Sequence, residues 1–436
     1  MKPVKIGVLG LGTVGGGTVN VLKRNALEIA RRAGREIVIT RASAKDLNRT
    51  RICDTHGIAL TSDPFSIVND PEIDIVLELI GGLSPAKELI LQAIANGKHV
   101  VTANKALIAL HGNEIFDKAS AQGVMIAFEA AVAGGIPIIK AIREGLSGNQ
   151  IEWLAGIING TSNFILTEMR DKRRNFQDVL GEAQALGYAE ADPTFDVEGI
   201  DAGHKLTILA SIAFGIPLQF DKVYTEGITE ITPEDVVYAR ALGYRIKHLG
   251  IAKKTSAGIE LRVHPTLIPK ERLLANVNGV KNAVVVNGDA VGSTLYYGAG
   301  AGAEPTASAV VADVVDVVRA LTGDPENRVP HLAFQANAIM DLPVLSSDQF
   351  ISAYYLRLTA EDKPGVLAEV TRILADHQIS IEAIIQKEPN HGKTTLPIIM
   401  LTQKTLEHEM NAAISKIEQL TTISGKVNRI RLETLG

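Results

Sequence analysis

Val4-Lys-Ile-Gly-Val-Leu9, running straight into Gly10-Leu-Gly12-Thr-Val-Gly15, is the stretch that decides the fold. A short apolar run ends in a glycine turn, and a helical pattern follows over Val14–Ala33. Between a strand and a helix, G-x-G-x-x-G reads as a dinucleotide-binding turn. Gly10 permits the sharp turn, Gly12 lets backbone approach a pyrophosphate, and Gly15 lets the helix lie close to the strand. The helix N-terminus then attracts the phosphates. Gly10, Gly12, Thr13, Val14 and Gly15 are the candidate cofactor contacts of this turn.

Outward from that turn, strand-like runs stand at Ile37–Thr40, Ile73–Ile80, His99–Thr102 and Val124–Phe128. Helical segments at Pro85–Asn96 and Ala106–Gln122 alternate with them. Such alternation predicts an α/β fold, a Rossmann-type doubly wound parallel sheet over residues 1–135. Residues 136–322 predict an α+β substrate and dimerisation domain. It has a strand at Ile151–Ile158, a turn at Asn159-Gly-Thr-Ser, and helices near 163–171 and 176–186. Further strands are expected at Val223–Ile231, His248–Ala252, Ile259–Pro265 and Ala283–Asn287. The long apolar helix Ala301–Thr322 could pack back on the first domain. Residues 323–349 read as a linker. Residues 350–436 give the order β-α-β-β-α-β, which is ferredoxin-like, with a turn at Asn390-His-Gly.

The 436 residues carry a formal net charge of −5, so no basic nucleic-acid footprint is present. One cysteine, Cys53, excludes an intramolecular disulfide framework and suits a reducing compartment. The first residues lack the pattern of a signal peptide, and no run of ~20 apolar residues suggests a membrane span. A cytoplasmic protein is expected.

Chemistry gathers in Gly187-Tyr-Ala-Glu-Ala-Asp-Pro-Thr-Phe-Asp-Val-Glu-Gly-Ile-Asp201-Ala-Gly-His-Lys205. Asp201 and Lys205 share a helix face, and that face continues through Ile208, Leu209 and Ile212. Alone, the pair reads as a surface salt bridge; the acids before it and the apolar run after it argue for a cluster aimed into a cleft. Val101-Thr-Ala-Asn-Lys105 follows a strand end, where ligands gather in open parallel sheets, so Lys105 is placed toward the nicotinamide end of a cofactor. The second strand ends in Thr40-Arg41-Ala-Ser-Ala-Lys45 without the carboxylate that holds an NAD ribose. Arg41 and Lys45 would instead pair with a 2′-phosphate, favouring NADP, though NAD stays possible.

Together these segments resemble homoserine dehydrogenases. V-T-A-N-K is matched residue for residue, and the acidic stretch through Lys205 shows no mismatch. Tyr297-Gly-Ala-Gly-Ala-Gly302 fits the family pattern Y-Y-G-x-G-A-G, with Ala299 at the variable position. Gly302 there would be a second backbone contact to the cofactor. The resemblance implies NAD(P)-dependent interconversion of L-homoserine and L-aspartate 4-semialdehyde, in threonine, methionine and isoleucine biosynthesis. It implies Lys205 as acid–base residue with Lys105 assisting, Glu190 and Asp201 for the substrate amino group, and Gly160, Thr161 and Tyr188 in the pocket wall. Asp196 belongs to the same acidic cluster, and Glu198 is expected on the surface. It also implies a sodium ion on carbonyls at Glu129, Val132, Gly134 and Ile136; the residues alone suggest a turn before a helix.

Asp362-Lys-Pro-Gly365-Val-Leu367 resembles the strand–helix turn of an ACT domain, an amino-acid-binding module that pairs between subunits. Threonine is the implied effector, and a homodimer or homotetramer the implied assembly. The linker would let this module stand apart, so that removing residues 346–436 spares catalysis. Two other readings are another ACT-bearing oxidoreductase and a non-catalytic sensor of NADP and amino acids. The first lacks its His/Arg/Glu set here; the second would not need Lys105, Glu190, Asp201 and Lys205 together.

Overall fold

The computed structural model describes residues 2–386 and 394–435, so the turn expected at Asn390-His-Gly lies outside the described residues. The chain forms two compact units. One comprises Met1–Leu154, Asp201–Asp221 and Lys281–Leu342, the other Ala155–Ile200, Lys222–Val280 and Pro343–Gly436.

The first unit is built on six strands: β1 (Val4–Leu9), β2 (Ile37–Ser43), β3 (Ala59–Thr61), β4 (Ile75–Glu78), β5 (His99–Thr102) and β6 (Ile126–Ala127). They are parallel, in the order β3-β2-β1-β4-β5-β6. This is the doubly wound order, whose direction reverses between β1 and β4, where ligands bind. Strands covered on both faces read as near-continuous apolar runs, as β1 does apart from Lys5 and β4 apart from Glu78. The helices are α1 (Thr13–Arg24), α2 (Ala26–Ala33), α3 (Phe65–Val68), α4 (Ala86–Ala95) and α5 (Lys105–Ala121). The single helix expected over Val14–Ala33 is thus two. Asn25 leaves helical geometry and caps α1, its N–H bonded to the Val21 carbonyl.

Helix Ala303–Ala320 packs on α1, placing Val310, Val314 and Val317 in one core with Val4, Val19 and Leu22. Gly17 permits the approach, since a Cβ there would stand 2.5 Å from the Ala303 carbonyl oxygen. Strands Lys281–Gly288 and Gly292–Ala299 form an antiparallel hairpin. The second strand was not anticipated, because its glycine-rich end reads as a helix entry.

In the second unit, Tyr244–Lys254 and Ile259–Pro269 pair antiparallel. Strand Ile423–Leu432 lies parallel beside Ile259–Pro269 and antiparallel to Ile351–Glu361. Thr395–Thr402 and Ile381–Gln386 complete the ferredoxin-like order, with helices Val366–Asp376 and Glu407–Glu418. The strand expected at Val223–Ile231 shrinks to Tyr224–Thr225. Helix Pro233–Ala241 follows, opened by a reciprocal cap between Thr232 and Asp235.

The C-terminal module does not stand apart as the linker suggested. Alternate residues of a strand face opposite sides. In Ile351–Glu361, Tyr354, Leu356 and Leu358 face the module's own core, whereas Ala353 and Tyr355 join Phe164, Met169 and Ile246. Buried charges reinforce this second core: Arg357 Nε donates to Asp235 Oδ1 at 2.6 Å, and Arg262 Nη2 to Glu433 Oε1 at 2.6 Å. Among the described residues, no helix is long and apolar enough to cross a membrane.

Candidate active site

A cleft of about 930 Å³ opens at the switch point of the parallel sheet. Gly10–Thr13 after β1, Ser43–Asp46 after β2 and Leu79–Gly82 after β4 line it. Gly10 adopts φ +95°, and a Cβ on it would lie 2.8 Å from the Leu79 carbonyl oxygen. A Cβ on Gly15 would collide with the Gly10 carbonyl, so the turn and α1 can approach only as glycines. The Cβ direction of Gly12 is open, as a backbone that receives a phosphate requires.

Lys45, Arg49 and Arg51 also line the cleft, but Arg41 does not. Arg41 lies inside β2, which runs two residues further to Ser43. Its guanidinium bonds Asp70 Oδ2 at 2.9 Å and the Ser66 carbonyl at 3.2 Å, beside α3. The basic side chains facing the cleft therefore come from the loop after β2, not from the strand.

Lys105 is fixed by a short polar chain. Glu78, fully buried at the end of β4, accepts from the Ile80 and Gly81 amides and from Thr102 Oγ1 at 2.7 Å. Thr102 Oγ1 receives the Asn104 amide; Asn104 in turn caps α5 and donates to the Gly82 carbonyl. That order sets Lys105 at the first position of α5, next to the cleft wall. Its ammonium lies 2.9 Å from Asp201 Oδ1, and the Lys205 ammonium lies 2.6 Å from Asp201 Oδ2. Asp201 and Lys205 are buried in helix Ile200–Phe214. Burial would raise the Asp201 carboxyl, but Lys205 and Lys105 outweigh it and hold the group well below the ordinary carboxylate range. Lys105 keeps 42% of its side chain exposed, against 11% for Lys205. The result is one ionised carboxylate gripping two ammoniums. Such a group can stabilise an oxyanion and pass it a proton.

Gly134 and Ala133 both adopt left-handed backbone in the turn Val132–Ile136. The turn packs on the glycine-rich segment before helix Ala303–Ala320, with the Gly135 amide bonded to the Ala299 carbonyl at 3.0 Å. The Glu129 carboxylate accepts from the Ile139 and Lys140 amides at 2.9 and 2.8 Å. Gly302 caps helix Ala303–Ala320 with φ +121°.

The remaining candidates belong to the second unit. Asn159 caps helix Gly160–Lys172, so Gly160 and Thr161 open the helix and do not form a turn before it. Thr161 Oγ1 donates to the Tyr188 carbonyl at 2.6 Å, and the Tyr188 ring meets Phe164 edge-on. Asp196 accepts from Asn159 Nδ2 at 2.8 Å. Glu190 is exposed, and its carbonyl receives Gln184 Nε2. Glu198 is half-buried rather than on the surface, with Thr229 Oγ1 donating to it at 3.4 Å.

Family models for the homoserine dehydrogenase NAD binding domain, for homoserine dehydrogenase and for the ACT domain match residues 10–129, 137–315 and 354–421. A homoserine dehydrogenase of Pseudomonas aeruginosa is 68% identical over 436 residues, with 100% of each chain covered. The chain belongs to the homoserine dehydrogenase family. The crystal structure of a homoserine dehydrogenase from Thiobacillus denitrificans is similar, with 66% identity and a TM-score of 0.95. That match covers 100% of this chain and 99% of the other. A hyperthermophilic archaeal homoserine dehydrogenase in complex with NADPH is 26% identical, with a TM-score of 0.62, over 72% of this chain and 98% of that one.

Glu78 is the residue of this homoserine dehydrogenase fold that the sequence reading passed over. Its signal was present: a carboxylate set between Leu77 and Leu79 in an otherwise apolar stretch has no place in a buried strand unless it is fully hydrogen-bonded.

Proposed function

We propose that this chain interconverts L-homoserine and L-aspartate 4-semialdehyde with NADP(H) as its preferred nicotinamide cofactor. The Lys105–Asp201–Lys205 constellation beside a glycine-turn cleft carries the reading. A nicotinamide held there supplies hydride to the aldehyde carbon or takes it from the alcohol carbon. Lys205 stabilises the oxygen that becomes alkoxide-like and delivers its proton; in the reverse direction it takes that proton. Lys105, more exposed, assists at the same oxygen. Asp201 keeps both ammoniums in place and offers negative charge to the substrate amino group, to which Glu190 is also assigned. Gly160, Thr161 and Tyr188 are assigned to the substrate pocket.

Gly10, Gly12, Thr13, Val14, Gly15 and Gly302 are the backbone positions assigned to the cofactor. The 2′-phosphate is assigned to Lys45, Arg49 and Arg51, because they face the cleft and Arg41 is committed to Asp70. A monovalent cation fits the main-chain carbonyls of Glu129, Val132, Gly134 and Ile136, a hard oxygen set. The Glu129 carboxylate is already taken by two amides, so the ion would fix the turn and take no part in proton transfer. The ACT module is assigned to L-threonine as a feedback effector, with pairing of subunits in a homodimer or homotetramer.

The test is NADPH oxidation in the presence of L-aspartate 4-semialdehyde. Turnover that depends on that aldehyde supports the reading; cofactor binding without turnover would leave only a sensor.

A further inference from the structure

A second concave site lies in the second unit, at the end of helix Gly160–Lys172 away from Gly160 and Thr161. It is a cleft of about 400 Å³ where two helices end and two strands meet. Arg170 stands in the last turn of helix Gly160–Lys172, and Arg240 in that of helix Pro233–Ala241. Arg245 enters strand Tyr244–Lys254, and Lys270 leaves strand Ile259–Pro269. The Lys270 amide bonds the Gly243 carbonyl at 3.0 Å, which holds the two strand ends together. Four cations therefore face one cleft.

Their counter-charges do not match. Among the described residues, Asp171 is the one carboxylate lining the cleft, and Arg170 engages it through Nε and Nη2 at 2.7 and 3.0 Å. Among the described residues, neither Arg240 nor Arg245 forms a salt bridge; Arg245 bonds only neutral oxygens, of Ala275 and Asn276. Lys270 meets an exposed Glu271 at 4.0 Å. Helix C-termini favour cations, which accounts for Arg170 and Arg240 but not for Arg245 and Lys270. Burial and Arg170, with Arg240 adding to them against the opposing pull of Asp171, bring the Arg245 guanidinium below its ordinary value. Behind it, burial together with Arg170 and Arg245 brings the Lys247 ammonium down to about 7. Like charges gathered at such cost, in a cavity of small-molecule size, suit an anionic ligand.

We propose that this cleft binds a compact multivalent anion, a small molecule bearing a phosphate, pyrophosphate or clustered carboxylates. Guanidinium forks suit such groups bidentately, and Lys270 adds a mobile point charge at the mouth. A zwitterionic amino acid is disfavoured, because its ammonium would find only Asp171, already held by Arg170. The site shares no residue with the cofactor cleft and does not rest on the reaction assigned above.

Calorimetric titration of the full chain with inorganic pyrophosphate, and separately with citrate, tests this at constant ionic strength and with NADPH saturating. One saturable site per chain is expected for at least one probe, and the better probe tells phosphoryl from carboxylate ligands. Arg240→Gln with Lys270→Gln, both exposed, should weaken it by about 10-fold or more while kcat stays unchanged. Lys270→Gln alone should give a smaller loss in the same direction. No saturable binding of either probe, or binding that the double variant leaves intact, overturns the site.

Discussion

Asp201 is the centre of the proposed chemistry because two lysines share it. Truncating Lys205 leaves Asp201 paired to Lys105, so a folded variant is expected. Lys205→Ala should lower kcat by at least ~10²-fold, the low end for a positioned acid–base group, while NADPH still binds. A folded variant with near-normal kcat would remove Lys205 from the proton transfer. Lys247 gives a prediction of another kind. Its ammonium is brought to about 7 by burial and by Arg170 and Arg245, against 10.5 ordinarily. Between those values the unfolded chain keeps a proton that the folded chain has shed, so stability rises with pH. From pH 7 to 9 that gain should reach up to about 1.4 kcal/mol per pH unit. Urea midpoints of Lys247→Met should lack this slope; parallel profiles for both proteins would show that Lys247 stays charged. That Asp201 and Lys205 meet could be seen in the sequence, because they are four apart on an apolar helix. The Glu78–Thr102–Asn104 chain could not, since its members come from separate strands and meet only through the sheet register.

At the scale of elements, the proposed cofactor preference rests on the glycine turn and the loop after β2. The turn was legible because strand, glycine spacing and helix all agree locally. The loop was not, because its reading depended on where β2 ends. Two more residues of pairing, Ala42 and Ser43, turned Arg41 onto the sheet face under α3 and left the following loop to supply the charge. Lys45→Ala with Arg49→Ala should therefore lower the ratio of kcat/KM for NADPH over NADH by about 10-fold, the loss of charge-assisted contacts to one phosphate. Arg41→Ala should leave that ratio nearly unchanged. Should Arg41→Ala abolish the preference and the loop variant keep it, the assignment of the 2′-phosphate is reversed.

For the whole molecule, the important difference between sequence and structure is the standing of the C-terminal module. Its β-α-β-β-α-β order was legible from period and spacing. The second core beneath it was not, because Tyr355, Ile399 and Ile430 read equally well as the far face of a solvated sheet. Removing residues 346–436 would expose that core, each large side chain costing about 1.5–3 kcal/mol. The truncated chain should aggregate or melt early in a thermal unfolding scan, and a soluble, fully active one would contradict the shared core. Threonine regulation is better tested in place. Gly365 opens helix Val366–Asp376 with φ +97° and free space where a Cβ would be. Gly365→Val should strain that turn and weaken threonine inhibition several-fold while leaving kcat in its absence intact. Undiminished inhibition would move threonine to the catalytic pocket as a substrate analogue.

Strand Ile423–Leu432 also has a bearing on how the protein is made. It lies between Ile259–Pro269 and Ile351–Glu361, yet a ribosome reaches it more than 150 residues after the first of those neighbours (423 − 269 = 154). Until it emerges, the Thr266–Leu267 stretch of Ile259–Pro269 that it pairs offers unpaired backbone, the condition in which strands recruit wrong partners. The nascent chain therefore carries an unfinished sheet throughout that interval. Chaperone demand and sensitivity to stalled translation should concentrate there, although the nucleotide-binding strands left the ribosome long before.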